Sequence, residues 1–453
     1  MKTGTKRSGA NPEVTIERFE FNSGSFGEEY LGTILFLCPT QRDYREIVAL
    51  PGANRHRFLF HDYASVALEE LVTEEPPPEA RIADPEAEIE RIASQYGRAN
   101  IDGVVSTDDY PGSTLASIVS QRFGLPGVPI AADLLCQHKF YGREAQRKVV
   151  PDAVPDFEAA DPEAPVVTLP FPFFIKPVKS FFSVGAYRVD SRETLPALSR
   201  RAALPKPFFE PFAILLKKYG GRDPGTGSLL VETLLEGWQA SLEGYVYHGD
   251  LHVVGVVDAI YFPGSTSFQR FEYPSRLPQA IQDRMGAVAK KVMPGIGFDN
   301  GLFNIEFIYS AAADTVHIVE INPRMASQFA DLFEKVDGTN TYSVLLDLAL
   351  GNKPVLTRRA GKYAMAASCV LRVFDNRRVI KLPTRDDIDA VQTWQPDIRI
   401  EILATEGRKL SQELQDGHSY RYGLLNIGGR DTREILDIFE AAQRRLPFVF
   451  AKT

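Results

Sequence analysis

Residues Gly301–Arg324 read GLFNIEFIYSAAADTVHIVEINPR, and the alternation in this stretch decides the fold. Two β-rich runs, Leu302–Tyr309 and Val316–Ile321, flank a small polar turn over Ser310–Thr315, the pattern of a hairpin. With the turn centred on Ala313, Glu306 lies opposite Glu320 and Asn304 opposite Asn322. Strand side chains alternate with period two, so these four share one face. Ile305, Phe307, Val319 and Ile321 then form the core face, and His317 goes with them as a structural residue. Two carboxylates held side by side repel unless a cation lies between them. Paired carboxylates with an amide oxygen suit a hard cation such as Mg²⁺, with phosphate oxygens completing its shell. The alternative is a solvated face carrying two unrelated acids.

Moving upstream, Phe173-Phe174-Ile175-Lys176-Pro177 is an apolar strand ending on a lysine. An ammonium there is costly without a partner, which points to an anion such as polyphosphate; the alternative is a head that snorkels to solvent. His138-Lys139, with Arg143 and Arg147 beyond, lies on a polar helix. Val231-Glu232-Thr233-Leu234-Leu235-Glu236-Gly237 runs on to Gln239 and Ser241-Leu242-Glu243. Between these pieces, the loop from Val178 to Ala186 has one glycine, the serines Ser180 and Ser183, and two adjacent phenylalanines.

Taken in order, these segments resemble the ATP-grasp superfamily over roughly residues 130–350. The resemblance implies that Mg²⁺ (or Mn²⁺) is held by Glu306, Glu320 and Asn322, and that Lys139 and Lys176 neutralise ATP phosphates. It gives Glu232, Leu234 and Leu235 to adenine, and Gln239 to ribose, where many relatives carry an acid. Glu243 supports the site from the next strand, and Arg324 stabilises the transferring phosphoryl group or acyl oxygen. The loop holding Ser183 takes the place of the phosphate lid, which in relatives is glycine-rich because backbone N–H groups must approach phosphate closely. Its single glycine argues against a biotin-carboxylase activity. The stretch 258–278, aromatic and irregular in pattern, lines the acceptor pocket in similar ligases, making Phe268, Arg270, Phe271 and Tyr273 substrate candidates. A surface flap over core aromatics is the alternative.

Composition agrees with this class. A chain of 453 residues exceeds one hydrophobic core and predicts several domains. Hydrophobic residues at 44% and charged residues at 24% are ordinary for a soluble globular protein. A net charge of −8 gives no general attraction to nucleic acid or to an anionic membrane. No apolar run approaches a membrane span, and the first residues lack the apolar core of a signal peptide. Cys38, Cys136 and Cys369 are scattered and read as reduced thiols of a cytoplasmic protein. No histidine or cysteine spacing suggests a zinc site, and no GxSxG motif or Cys/His pair suggests a covalent nucleophile.

The expected organisation is a polar arm over 1–28, then a parallel α/β domain over 29–134, in α/β and α+β style. An ATP-grasp fold of two α+β subdomains follows over 135–350, with its lid subdomain at about 165–230, and a small C-terminal α+β domain covers 351–453. Asp84 is the expected N-cap and Pro85 the first residue of a helix over Pro85–Tyr96. Residues 74–78 read as a proline linker and 151–165 as a connector, and Asp431–Glu434 reads as a capping box. Asp108 and Asp109, at the carboxyl end of a strand, either touch substrate or cap the next helix.

The resemblance implies an ATP-dependent carboxylate–amine ligase that works through an acyl phosphate. Its partners are then small-molecule acids and amines, neither nucleic acid nor membrane, with a homodimer as the common assembly of such layouts. Thiol or bicarbonate chemistry, phosphotransfer without ligation, and a non-catalytic nucleotide binder are the alternatives.

Overall fold

A computed structural model describes residues 31–63, 73, 84–97, 101–181, 183–223, 228–413, 415 and 419–452. The expected arm over 1–28 and the linker over 74–78 lie outside them.

The first unit alternates strand and helix: β1 (Gly32–Leu37), α1 (Gln41–Ala49), β2 (His56–His61), α2 (Pro85–Tyr96), β3 (Gly103–Val105) and α3 (Gly112–Phe123). Its strands pair in parallel in the order β2-β1-β3. β1 is apolar from Ile34 to Leu37, and both of its faces are covered there. Ile34 and Phe36 enter one core, while Leu35 and Leu37 enter another. α2 starts as its sequence dictates, with Asp84 accepting from the Glu86 N–H and Pro85 in the first turn.

The second unit comprises α4 (Ile130–Gln137), α5 (Lys139–Val149), β4 (Phe157–Ala160), β5 (Phe173–Pro177), β6 (Tyr187–Val189), α6 (Leu195–Ala202), α7 (Lys206–Gly220) and β7 (Leu229–Thr233). Its antiparallel sheet runs β4-β7-β5-β6. β4 corrects the reading of 151–165 as a plain connector: Phe157–Ala160 pairs with β7 as an edge strand, a position that its flanking prolines permit.

The third unit carries β8 (Trp238–Tyr247), β9 (Asp250–Tyr261), β10 (Phe268–Tyr273), α8 (Gln279–Gly295), β11 (Gly301–Ser310), β12 (Thr315–Asn322), α9 (Ala330–Asp337) and α10 (Thr341–Ala349). After it come β13 (Met365–Val373), β14 (Arg377–Lys381), α11 (Arg385–Trp394), β15 (Arg399–Ile402), β16 (Tyr420–Gly429), α12 (Thr432–Arg445) and β17 (Val449–Lys452). One eight-stranded sheet runs β12-β11-β8-β9-β10-β13-β16-β15, and β14 and β17 pair separately. The C-terminal strands therefore complete the central sheet through β10 and β13. The stretch 258–278 is also more regular than expected. β9 continues to Tyr261 and Phe268–Tyr273 is β10, so the irregular connection between them shrinks to 262–267. At α12, Asp431 accepts from the Glu434 N–H, but Glu434 turns to the Arg430 N–H, so only half of the expected box forms.

The architecture is the mixed α/β and α+β arrangement expected. Among the described residues, no helix is long and apolar enough to cross a membrane. The thiols of Cys136 and Cys369 are buried, and none of the three cysteines forms a disulfide.

Candidate active site

The acidic wall is built by β11 and β12. Asn304 pairs with Asn322 and Glu306 with Glu320, as the alternation predicts, but the route differs. The turn is closed by Ser310 and Thr315, one register step away from centring on Ala313, and a bulge at Val319 restores the acid pairing. As a result Ile318, not Val319, sits in the core opposite Phe307. His317 pairs with Ile308, two residues on from Glu306, and so lies on the acidic side. This corrects its expected placement, because a bulge reverses the parity of every residue beyond it. The freed Val319 carbonyl accepts from Arg143 Nη2 at 2.8 Å and from Lys176 Nζ at 3.4 Å.

Burial, with the Glu320 charge across the strand pair adding to it, pushes the Glu306 carboxyl up to about 7. Glu243, on the neighbouring β8, is fully buried and likewise pushed to about 7 by burial. It accepts from the Ala326 N–H at 2.8 Å and from Asn304 Nδ2 at 3.1 Å, and so anchors the chain just beyond Arg324.

The basic wall comes from the second unit. Lys176, at the end of β5, pairs with Glu232 of β7 at 2.6 Å, and Arg143 of α5 holds the other Glu232 oxygen. Burial opposes ionisation of Glu232, but Arg143 and Lys176 outweigh it and hold the carboxyl at about 2. Lys176 shares this one anion with Arg143. Burial therefore wins for the lysine, whose pKa falls below its ordinary value. Lys139, the first residue of α5, donates to the Ser180 carbonyl at 2.9 Å and forms an ion pair with Glu320. It thus bridges the two walls.

At the mouth, the two acids following β3 divide their tasks. Asp108 caps α3, accepting from the Gly112 N–H at 3.0 Å. Asp109 pairs with Lys179 at 3.5 Å and with Arg324 at 3.3 Å. Lys179 also donates to Gln137, and burial lowers its pKa despite Asp109. Arg324 uses Nη1 on the Met325 carbonyl and Nη2 on Asp109, while its Nε is buried without a partner. These two bonds engage two of the five guanidinium donors. Lys179 and Tyr261, and the ion pair made by Arg143, add contacts to those expected from the sequence. A second lysine three residues after Lys176 was the available signal for the first; the other two depend on long-range pairing.

The remaining candidates separate by face. Directly paired strand residues share a face, and pairing runs from Glu306 to Ser241 to Val257, then two residues along to Ala259 and across to Phe271. Phe268 and Phe271 lie on that side and join Tyr261 and Phe329 in a ring ladder with centroids 4.7, 4.8 and 5.1 Å apart. Arg270 falls on the opposite face, buried against Glu272 at 2.6 Å, and is thereby removed from the expected pocket. Tyr273 is buried against Phe333 with its hydroxyl on Asp337, which makes it a core residue. Leu234 and Leu235 sit half-buried in the hinge between the two sheets. Gly237 closes that hinge, where an added Cβ would meet the Tyr309 carbonyl at 2.1 Å. Gln239, expected at ribose, bonds instead to Glu306 and Tyr261. In the lid segment Ser183 is exposed with φ of 59°, and the Ser180 hydroxyl turns inward to the Val184 carbonyl. Phe182 lies outside the described residues.

The donor set fits a hard divalent cation. Glu306, Glu320 and the Asn322 amide offer oxygens, and Glu306 faces Glu320 across the strand pair. Asn322 uses its Nδ2 on Asn304, which leaves its oxygen out of that bond. No group of three or more His, Cys, Asp or Glu suited to a metal occurs among the described residues, so such an ion would also need ligands from a phosphate.

Comparison with known proteins agrees with this geometry. A family model described as an ATP-grasp domain matches residues 169–331. Among solved structures, the L-amino acid ligase from Bacillus licheniformis superposes with a TM-score of 0.66 at 15% identity, over 94% of this chain and 100% of that one. Phosphoribosylglycinamide synthetase from Anaerococcus prevotii gives 0.62 at 15% identity, over 92% and 99%. Biotin carboxylase from Campylobacter jejuni gives 0.61 at 13% identity, over 93% of each chain. No curated protein matches by sequence. Residues 169–331 thus match an ATP-grasp domain, and the chain shares its fold with these solved structures.

Proposed function

We propose that the protein is an ADP-forming ligase that joins a carboxylate to an amine through an acyl phosphate. The observation that carries this reading is the charge arrangement of the cleft. Lys139, Lys176, Arg143, Lys179 and Arg324 converge there, and two carboxylates, Glu232 and Asp109, serve four of them. On the opposite wall Glu306 faces Glu320, and Lys139 pairs with Glu320. A nucleotide triphosphate with a divalent cation supplies the missing charge to both walls at once.

Glu306, Glu320 and Asn322 would hold Mg²⁺ or Mn²⁺, whose charge neutralises phosphate oxygens. Lys176 and Lys139 receive the phosphates, and Glu232 keeps Lys176 in place. The hinge leucines Leu234 and Leu235 offer an apolar surface and backbone groups to adenine. A substrate carboxylate oxygen forms a bond to the γ-phosphorus as the bond to the bridging oxygen breaks, giving ADP. The amine nitrogen then attacks the acyl carbon, phosphate leaves, and the nitrogen loses a proton. Arg324 stabilises the transferring group, because a planar, permanently charged fork suits developing oxyanion charge. No covalent protein nucleophile is required, because positioning and charge stabilisation suffice. Phe268 and Phe271 offer the acceptor an apolar wall on the same face of the sheet. We place this activity in the cytoplasm, on small-molecule acids and amines; light scattering tests for a homodimer.

The test is a hydroxylamine trap with ATP, Mg²⁺ and pooled carboxylates. Hydroxamate formed with ADP, and lost in Glu320→Ala, supports the reading and identifies the acid. AMP as the nucleotide product, or ADP formed with no carboxylate dependence, overturns it.

A further inference from the structure

Gln239 and Tyr261 occupy a place that the reaction scheme leaves unexplained. We propose that they are positioning residues for the metal-facing carboxylate Glu306. This inference rests on the metal reading given above.

Gln239 lies on β8, whose register sets it opposite Ile308, two residues from Glu306 on the same face of β11. Its Nε2 donates to Glu306 Oε2 at 3.0 Å, and its Oε1 accepts from the Tyr261 hydroxyl. The direction of these bonds is fixed by chemistry. Turning the amide over would set its carbonyl oxygen against a carboxylate, two acceptors facing each other. The phenol can donate or accept and so follows the amide, whose direction the acceptor-only carboxylate sets. Glu306 is therefore pinned through one oxygen, and its other oxygen is left to face a cation shared with Glu320.

Tyr261 is itself fixed. Its ring stacks on Phe268 with centroids 4.7 Å apart, at the head of the ladder that continues through Phe271 and Phe329. The bonded chain Tyr261–Gln239–Glu306 thus joins the aromatic wall to the metal-facing pair. The same chain accounts for a glutamine at this position. An acid there would set a third carboxylate beside Glu306 and Glu320, and asparagine is one methylene shorter.

The experiment is Mn²⁺ titration of the full chain followed by electron paramagnetic resonance, with a non-hydrolysable ATP analogue present. Wild type, Tyr261→Phe, Gln239→Leu, the double variant and Glu306→Ala are compared, with circular dichroism checking the fold. Residues that orient a metal ligand typically affect affinity by 10- to 100-fold when removed, so Gln239→Leu is expected to weaken Mn²⁺ about tenfold. Tyr261→Phe, which removes one oxygen, weakens it less, and the double variant matches Gln239→Leu alone, because the tyrosine acts through the glutamine. The bound-Mn²⁺ line shape also changes in both single variants, which a purely structural role would not produce. Mn²⁺ affinities within twofold of wild type in folded Gln239→Leu, alongside a large loss in Glu306→Ala, would overturn the relay and leave the metal reading standing. Equal affinities of wild type and Glu306→Ala would remove the metal reading and the relay with it.

Discussion

Glu232 and Glu306 are the same residue type in the same cleft, yet their carboxyl groups move in opposite directions. Glu232 is held at about 2 and Glu306 is raised to about 7. Burial pushes both upward, so depth does not separate them. The count of partners does: Glu232 lies between Arg143 and Lys176, whereas Glu306 faces Glu320 and receives one neutral donor from Gln239. A carboxylate with two cations is a fixed post, and a carboxylate facing its like is a receptor for positive charge.

Removing each acid should break the symmetry most strongly. Glu232→Gln leaves two buried cations without their anion, and is expected to destabilise the fold by about 3–5 kcal/mol, read from urea midpoints. Glu306→Gln relieves a like-charge pair and should leave stability unchanged or raised. Equal losses in the two variants would erase the distinction.

The next effect is on turnover. Glu320→Gln should lower carboxylate-dependent ADP release by about a hundred- to a thousandfold, the range seen when one electrostatic stabiliser is removed. The Lys139 partner of Glu320 sharpens the point. Lys139→Met should raise the Michaelis constant for ATP while leaving urea midpoints close to wild type, since Lys139 bridges walls rather than filling a core.

A pH series gives the smaller, signed test. Glu232 has a depressed folded pKa, so its stabilisation is present above its unfolded value near 4.5 and is lost as pH falls toward about 2. Glu306 has a raised folded pKa, so the native state binds the extra proton, and stability falls as pH rises from about 4.5 through about 7. The advantage of Glu306→Gln over wild type should therefore be larger at pH 8 than at pH 5, by roughly 1–3 kcal/mol. An advantage independent of pH would show that Glu306 keeps an ordinary pKa.

Much of the acidic wall was legible in the sequence. Period-two alternation across Gly301–Arg324 placed Glu306 against Glu320 and Asn304 against Asn322. It could not show the Val319 bulge, because an extra residue in one strand leaves no compositional mark; the turn position and the bulge offset each other, so the acids paired while His317 changed sides. Lys176 was legible as a charge ending an apolar strand. The Asp109–Lys179 and Asp109–Arg324 pairs join residues far apart in sequence, and no local pattern encodes such contacts. Arg270 was assigned by composition of the aromatic stretch, without the register that turns it to the other face. Pro263, Gly264 and the serines after them occupy only the tip between β9 and β10.

The pairing of β10 with β13 also bears on how this gene can be cut. Arg270–Tyr273 is hydrogen-bonded to Ala366–Cys369, so a shortened version ending near residue 350 would strip one side of β10 and bare its backbone as an adhesive border. Swapping or trimming the tail as a cassette would then yield self-associating material, and any chimaera of this chain needs its junction placed elsewhere.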